Sequence, residues 1–212
     1  MEENIAQAKQ QAEYCTNRSV SECTGCDLAD SLMCRFESKD LLRFLIAFIP
    51  FGIAVVAGMV RAGFAIFLLG WAAYWLFFFF IWEARVLCRH CPYWAEEGLV
   101  LHCHANYGVL KIWKHDPGPM NTSEKIQFLI GAFLLIGYPF VFLILGGEVL
   151  LTIVAFAATI AFGVNLKMNV CTRCIHFSCP LNSVPKPIVD GYLLRNPIML
   201  KAWEAEGYRI GE

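Results

Sequence analysis

Hydrophobic positions fall into four long runs, and polar positions fill the stretches between them. The runs cover residues 44–60, 62–82, 128–146 and 149–166. Arg61 alone parts the first two, and Gly147 with Glu148 parts the last two. At about 1.5 Å of rise per residue each run makes a helix of roughly 25 to 32 Å, enough to cross a hydrocarbon core about 30 Å thick. Pro50 and Pro139 fall inside the first and third runs. The pattern predicts an all-α integral membrane protein: four transmembrane helices as two duplicated hairpins, with a Cys-rich cytoplasmic cap. The expected division is an N-terminal Cys-rich segment (1–40), hairpin 1 (41–87), a Cys/His loop (88–122), hairpin 2 (123–170) and a C-terminal Cys-rich segment (171–212).

Composition supports this division. Of the 212 residues 58% are hydrophobic and 17% charged, against about a quarter charged in a soluble domain, so too few polar residues remain to cover two such hairpins in water. The net charge of −1, with no basic face interleaved with aromatics, argues against a nucleic-acid partner. The start, Met1-Glu2-Glu3-Asn4, is acidic and lacks an apolar h-region, so a secretory signal peptide is not expected.

Lys and Arg set the expected orientation. Five lie in 1–43, five in 83–127 and six from 167 onward, while the hairpin tips hold Arg61 alone. Positive residues stay on the cytoplasmic side, so both termini and the middle loop are placed in the cytosol of a cell whose inner membrane carries the protein. Each half reads as polar cap, helix with an internal Pro, charged turn, helix and CxxC. Phe44-Leu45-Ile46 precedes Cys88 by 44 residues and Phe128-Leu129-Ile130 precedes Cys171 by 43. This reads as an internal repeat about an axis along the membrane normal. In the polar parts, residues 2–14 read as a helix, Asp116-Pro117-Gly118-Pro119 as a turn, Asn121 to Glu124 as a capping box, and Asn196-Pro197 as the start of a last helix through Glu206.

The candidate chemistry lies in ten cysteines, all on the expected cytoplasmic side. One group is Cys15, Cys23, Cys26 and Cys34. A second is Cys88, Cys91 and Cys103, with His90, His102 and His104 close by. The third is Cys171, Cys174 and Cys179, with His176. Disulfides are rare in a reducing cytosol, so thiols gathered in polar, Gly- and Pro-containing loops are read as metal ligands, with Arg35, Arg89 and Arg173 favouring the thiolate. Two metal readings compete. Zinc takes a closed tetrahedron, either from Cys88, Cys91, Cys171 and Cys174 across the repeat axis, or from three cysteines and a histidine in each half (His102 or His104 in one, His176 in the other). Iron–sulfur clusters take four cysteines, often with Pro after the last. The N-terminal four would then hold one cluster and the two CxxC pairs another. A third reading is a membrane thiol–disulfide oxidoreductase, which requires the dithiols on the oxidising side.

Cys88, Cys91-Pro92 and Cys179-Pro180, at the ends of the second and fourth spans, resemble the membrane-bound ferredoxin-type proteins that feed electrons from quinol. The resemblance covers these motifs and the span layout. It implies iron–sulfur electron transfer, a quinone as a possible partner and a place in a larger membrane complex. The chain departs from that pattern in having two residues between Cys88 and Cys91 where the family has three, and in lacking a tight four-cysteine ferredoxin run.

No Asp, Glu, Lys, Arg or His lies in the middle of any span, which argues against a proton pump or ion-coupled transporter, and no span carries a His for haem. Thr152 and Thr159 are expected to bond their own helix. Glu83 and Arg85 are expected to be solvated charges at the mouth of the second span. The aromatics from Trp71 to Phe80 are expected to pack or face lipid. The expected function is an iron–sulfur electron-transfer subunit between a cytoplasmic partner and the membrane, with a zinc-stapled scaffold as the rival. No set of catalytic residues emerges.

Overall fold

The structure is a computed structural model, and it describes residues 14–17 and 20–211. Four helices are long and apolar enough to cross a membrane: α1 (Ser38–Arg61), α2 (Phe67–His90), α3 (Thr122–Leu145) and α4 (Val149–Val170). Two short helices follow, α5 (Lys186–Leu194) and α6 (Pro197–Ala205). No strand occurs among the described residues, only an isolated antiparallel bridge between Val100 and Leu110. The helix expected over 2–14 falls almost wholly outside the described residues.

Much of the apolar surface of α1 to α4 is turned outward, with Ile53, Leu69, Phe133 and Val149 all exposed. In water such a surface is a liability, and against lipid it is the matching face. α1 packs chiefly on α4, and α2 chiefly on α3, so each hairpin is closed by a helix of the other. The two charged tips meet as well, Arg61 pairing with Glu148 at 3.2 Å.

The aromatics of α2 hold α3 through its carbonyls. Tyr74 donates to Gly131 O (3.2 Å) and Trp82 to Gln127 O (3.4 Å). Trp71 Nε1 donates to Leu135 O at 2.9 Å. That carbonyl would ordinarily accept from residue 139, but Pro139 has no N–H, so Trp71 satisfies a group that a proline inside a buried helix leaves bare. At Gly131 a Cβ would stand 2.5 Å from Phe78, so a side chain there would push α2 and α3 apart. Thr152 and Thr159 bond the carbonyls of Glu148 and Ala155 on their own helix, as expected.

The polar segments gather at one end of the bundle into a cap with its own core. Tyr93, Leu101, Val109, Ile175, Tyr192, Leu193 and Met199 are all buried there. α3 begins at the expected capping box, with Asn121 accepting from Glu124 N and Glu124 accepting from Asn121 N, both at 2.9 Å. α6 runs close to its expected bounds and ends before Gly207, whose φ is +90°. The sequence reading did not anticipate α5.

Candidate metal centres

α2 and α4 share one irregularity on their way out of the bundle. Each passes through a five-residue π turn, Phe78–Trp82 in one and Leu166–Val170 in the other. Such turns are rare and concentrate at functional sites. α4 delivers Cys171 directly. α2 tightens into a 3₁₀ turn over Cys88–His90, in which Cys91 N donates to Cys88 O at 2.9 Å, and Pro92 then turns the chain into the cap.

Residues between the first pair tie it to α3. Arg89 Nη2 donates to Glu124 at 2.6 Å, and His90 Nδ1 meets Gly118 O at 2.9 Å. Arg89 is therefore spent on a carboxylate, and Arg173 donates to Asp30 O (3.3 Å). Of the three arginines expected beside thiols, Arg35 is the one that reaches a sulfur, Cys23 Sγ at 3.6 Å.

Six cysteines, Cys88, Cys91, Cys103, Cys171, Cys174 and Cys179, line one cavity of about 250 Å³ at the junction of bundle and cap; we call this the inner site. Cys103 arrives on the hairpin closed by Leu101 N to Val109 O at 2.8 Å. Asn182 Nδ2 holds the 174–179 loop through the carbonyls of Cys174 (2.8 Å) and His176 (3.1 Å). Burial, then the charges of Cys103 and Cys174, push the Cys91 thiol well up. Burial and Cys103 do the same to Cys174, and burial carries Cys179 up to about 11. Cys103, a singleton in sequence, is thus a close neighbour of Cys91 and Cys174. Cys171 acts on Cys174 and Cys179 in turn, and Lys167 offsets part of the rise that burial causes in its own thiol.

His176 and His104 line this cavity too, while His102 packs instead on the rings of Phe36 and Tyr107. His176 Nε2 lies 2.8 Å from Leu87 O. A carbonyl only accepts, so Nε2 carries the proton and Nδ1 keeps its lone pair. That Nδ1 is buried with no partner among the described residues, and burial pulls the ring down to about 4, so it is neutral at physiological pH. A neutral imidazole anchored to a carbonyl is the form that ligates metals or accepts a hydrogen bond. An unanswered buried acceptor costs about 1–3 kcal/mol.

One expectation is corrected here. Glu83 is not a solvated charge: it is 8% exposed and lines the same cavity. Asn106 Nδ2 donates to it at 3.0 Å and to Phe79 O at 3.0 Å, and lies 3.7 Å from Cys88 Sγ. The sequence placed Glu83 at a helix mouth, but the cap folds over that mouth and removes the water. Arg85 lies over the Trp113 ring, 5.6 Å from its centroid.

The N-terminal four, Cys15, Cys23, Cys26 and Cys34, line a second cavity of about 270 Å³, the outer site. The turn between Cys23 and Cys26 requires Gly25, whose φ is +79°. Two bonds dock this segment on the cap, Cys15 N to Asn196 Oδ1 and Met33 N to Arg173 O, both 2.8 Å. Burial, then the sulfurs of Cys15, Cys26 and Cys23, push the Cys34 thiol up to about 12. Tyr192, which sequence reading missed, lines this cavity with its hydroxyl buried and unpartnered among the described residues. Burial, then Cys34, Cys15 and Cys91, push its hydroxyl pKa well up.

All ten cysteines are free thiols. The thiols of Cys91, Cys174 and Cys179, pushed up by burial, stay protonated unless a cation replaces the proton. Among the described residues, no group of three or more His, Cys, Asp or Glu side chains is drawn close enough to hold a single metal ion. No family model, no curated protein and no solved structure matches this chain.

Proposed function

We propose that the chain is an iron–sulfur electron-transfer subunit of a membrane complex, relaying electrons between a cytoplasmic partner and the membrane, with quinone as its membrane-side partner. The observation that carries this reading is the convergence of the ten thiols on two cavities of about 250 and 270 Å³. A tetrahedral zinc with Zn–S near 2.3 Å would draw its sulfurs to about 3.8 Å from one another. A polynuclear cluster carries its cysteines on the outside of an inorganic core, so it calls for thiols around a space.

On this reading Cys15, Cys23, Cys26 and Cys34 hold the outer cluster. Cys88, Cys91, Cys103 and Cys174 hold the inner one, with Cys171 and Cys179 beside it. Bound there, the clusters supply one-electron redox chemistry. The chain's own part is to bury the thiols, exclude water through Tyr93 and Leu101, and present Tyr192 and Asn106 as donors near sulfur. The Lys and Arg distribution favours a cytoplasmic cap. A π turn in each of α2 and α4, six residues before Cys88 in one and immediately before Cys171 in the other, is what the structure adds to the sequence pattern of a duplicated hairpin.

The test is anaerobic purification with metal analysis, acid-labile sulfide and a visible spectrum. Brown protein with iron and sulfide is expected. Colourless protein with zinc and no iron overturns the reading in favour of a stapled scaffold. Labelling of the cysteines from outside intact cells by an impermeant thiol reagent overturns the orientation and favours a thiol oxidoreductase.

A further inference from the structure

The inner cavity does not end at its cysteines. It continues down among the spans past Phe48, Trp75, Ala132 and Ile136, and its wall reaches Leu45 on the outer surface of α1. At the cysteine end it meets four buried polar side chains, Glu83, His104, Asn106 and His176. One end is therefore apolar at bilayer depth, and the other offers a bare imidazole acceptor and a carboxamide bonded to a carboxyl.

Such a shape selects its occupant. A lipid acyl chain would set a methyl end against polar groups and leave them unanswered. A phospholipid headgroup would bring a phosphate beside Glu83, a buried carboxyl with no ion-pair partner among the described residues. A water-soluble anion would find no buried cation there. A neutral ring with hydroxyl or carbonyl groups at one end and an apolar tail at the other satisfies both ends.

We propose that the part of this cavity that extends from the cysteines into the bundle, past Phe48, Trp75, Ala132 and Ile136, is the binding site of an isoprenoid quinone, its hydroquinone form donating a ring hydroxyl to Nδ1 of His176 and its tail lying between the spans, beside the space the cysteines enclose. The choice of a redox-active ring rests on the electron-transfer reading; the site itself rests on the cavity.

The test uses the full chain in lipid nanodiscs. Trp75 lines the cavity, so a short-tailed naphthoquinone bound there quenches its fluorescence. Saturable quenching is expected, and it should largely vanish in Trp75→Phe. Ala132→Phe and Ile136→Trp fill the cavity and should weaken binding by about tenfold or more, with the variants' visible spectra checked alongside. Ile153→Trp, on the lipid-facing side of α4, should bind as the parent does. Quenching that rises linearly and equally in all variants is partition into lipid and overturns the proposal. So does a phospholipid held in the cavity that the quinone cannot displace. Iron and sulfide without saturable quinone binding sinks the quinone site and leaves the cluster reading standing. Saturable, Ala132-dependent binding to protein without iron supports the site and sinks the cluster reading.

Discussion

The two cysteine cavities are of nearly equal volume, yet they are built in opposite ways. The outer one takes its four sulfurs from a single stretch of 20 residues, 15–34, with a glycine turn between two of them. Its walls carry Arg35, Lys39, Arg43, Arg173 and Arg195 against Glu37 and Asp40, and its cysteines are only partly buried. The inner one draws on three segments as far apart as residues 88 and 179. Cys88, Cys91 and Cys171 are buried, and the cavity continues into the bundle among aromatics. The outer site is thus a local structure docked on the cap and turned to water. The inner site is a product of tertiary packing and is turned to the membrane. Tyr192 lines the outer site only.

The comparison is broken most directly by removing one sulfur from each side. If the two sites hold the proposed clusters, Cys91→Ser should lose the inner one and loosen the cap, since Cys91 belongs to the cap's buried core. In Cys34→Ser the outer cluster should be lost with the cap intact. Each variant should keep about half of the iron and sulfide, and EPR of the reduced protein should show a different surviving signal in each. If either single change removes both signals, the ten thiols form one linked site and the division fails.

That contrast also explains what could be read from the sequence. The spans were legible because hydropathy over some 20 residues is a sum that no single contact overrides, and the capping box at Asn121 because it acts within four residues. The grouping of Cys15 with Cys34 was legible for the same reason, being local. Cys103 was grouped with Cys88 and Cys91, but its approach to Cys174 was not legible: it depends on the 99–112 hairpin, which has one bridge and no strand pattern. Glu83 was misread because nothing nearby in sequence announces that the cap covers it. α5 had a signal, Pro187 in its first turn, but Gly191 and its short length masked it.

Acid provides a smaller and graded way to compare the sites, because one histidine lines the inner cavity and another, half-buried, packs on Tyr14 next to Cys15 of the outer one. His115 packs edge-on against Tyr14, which leads into Cys15, and its Nδ1 lies 3.4 Å from the tyrosine hydroxyl. Burial pulls His115 from an ordinary 6.5 to about 4, and His176 at the inner site likewise. A folded-state value below the unfolded one means the fold disfavours the proton. The stability each contributes is complete above about pH 6.5 and is lost as pH falls from there through 4, on the order of 3 kcal/mol apiece. His115→Phe keeps an aromatic ring against Tyr14 and removes the titration. Hydrogen exchange from pH 7 to 4 should then show residues 14–34 no longer loosening with acid, while 171–179 still do. Equal loosening of both segments in the variant would mean that the outer loop has no separate hold on the cap.

The smallest effect tests whether the outer site is as local as it looks. Gly25 has φ of +79°, and a Cβ built there meets nothing within 4 Å. Gly25→Ala therefore adds no clash, only the cost of holding an L-residue in the left-handed region, about 1 kcal/mol. The inner pair has no counterpart, because Arg89 and His90 sit in an ordinary 3₁₀ turn. If the outer loop is pre-set for its four thiols, that cost should appear as roughly a fivefold faster loss of the outer cluster to a chelator. The inner cluster and the unfolding of the bundle should be untouched. Gly25→Asn should recover part of the difference, since asparagine tolerates the left-handed region better than alanine. Should Gly25→Ala destabilise both clusters alike, the outer loop and the inner site fold as one unit, and the cap rather than the local turn sets the outer geometry.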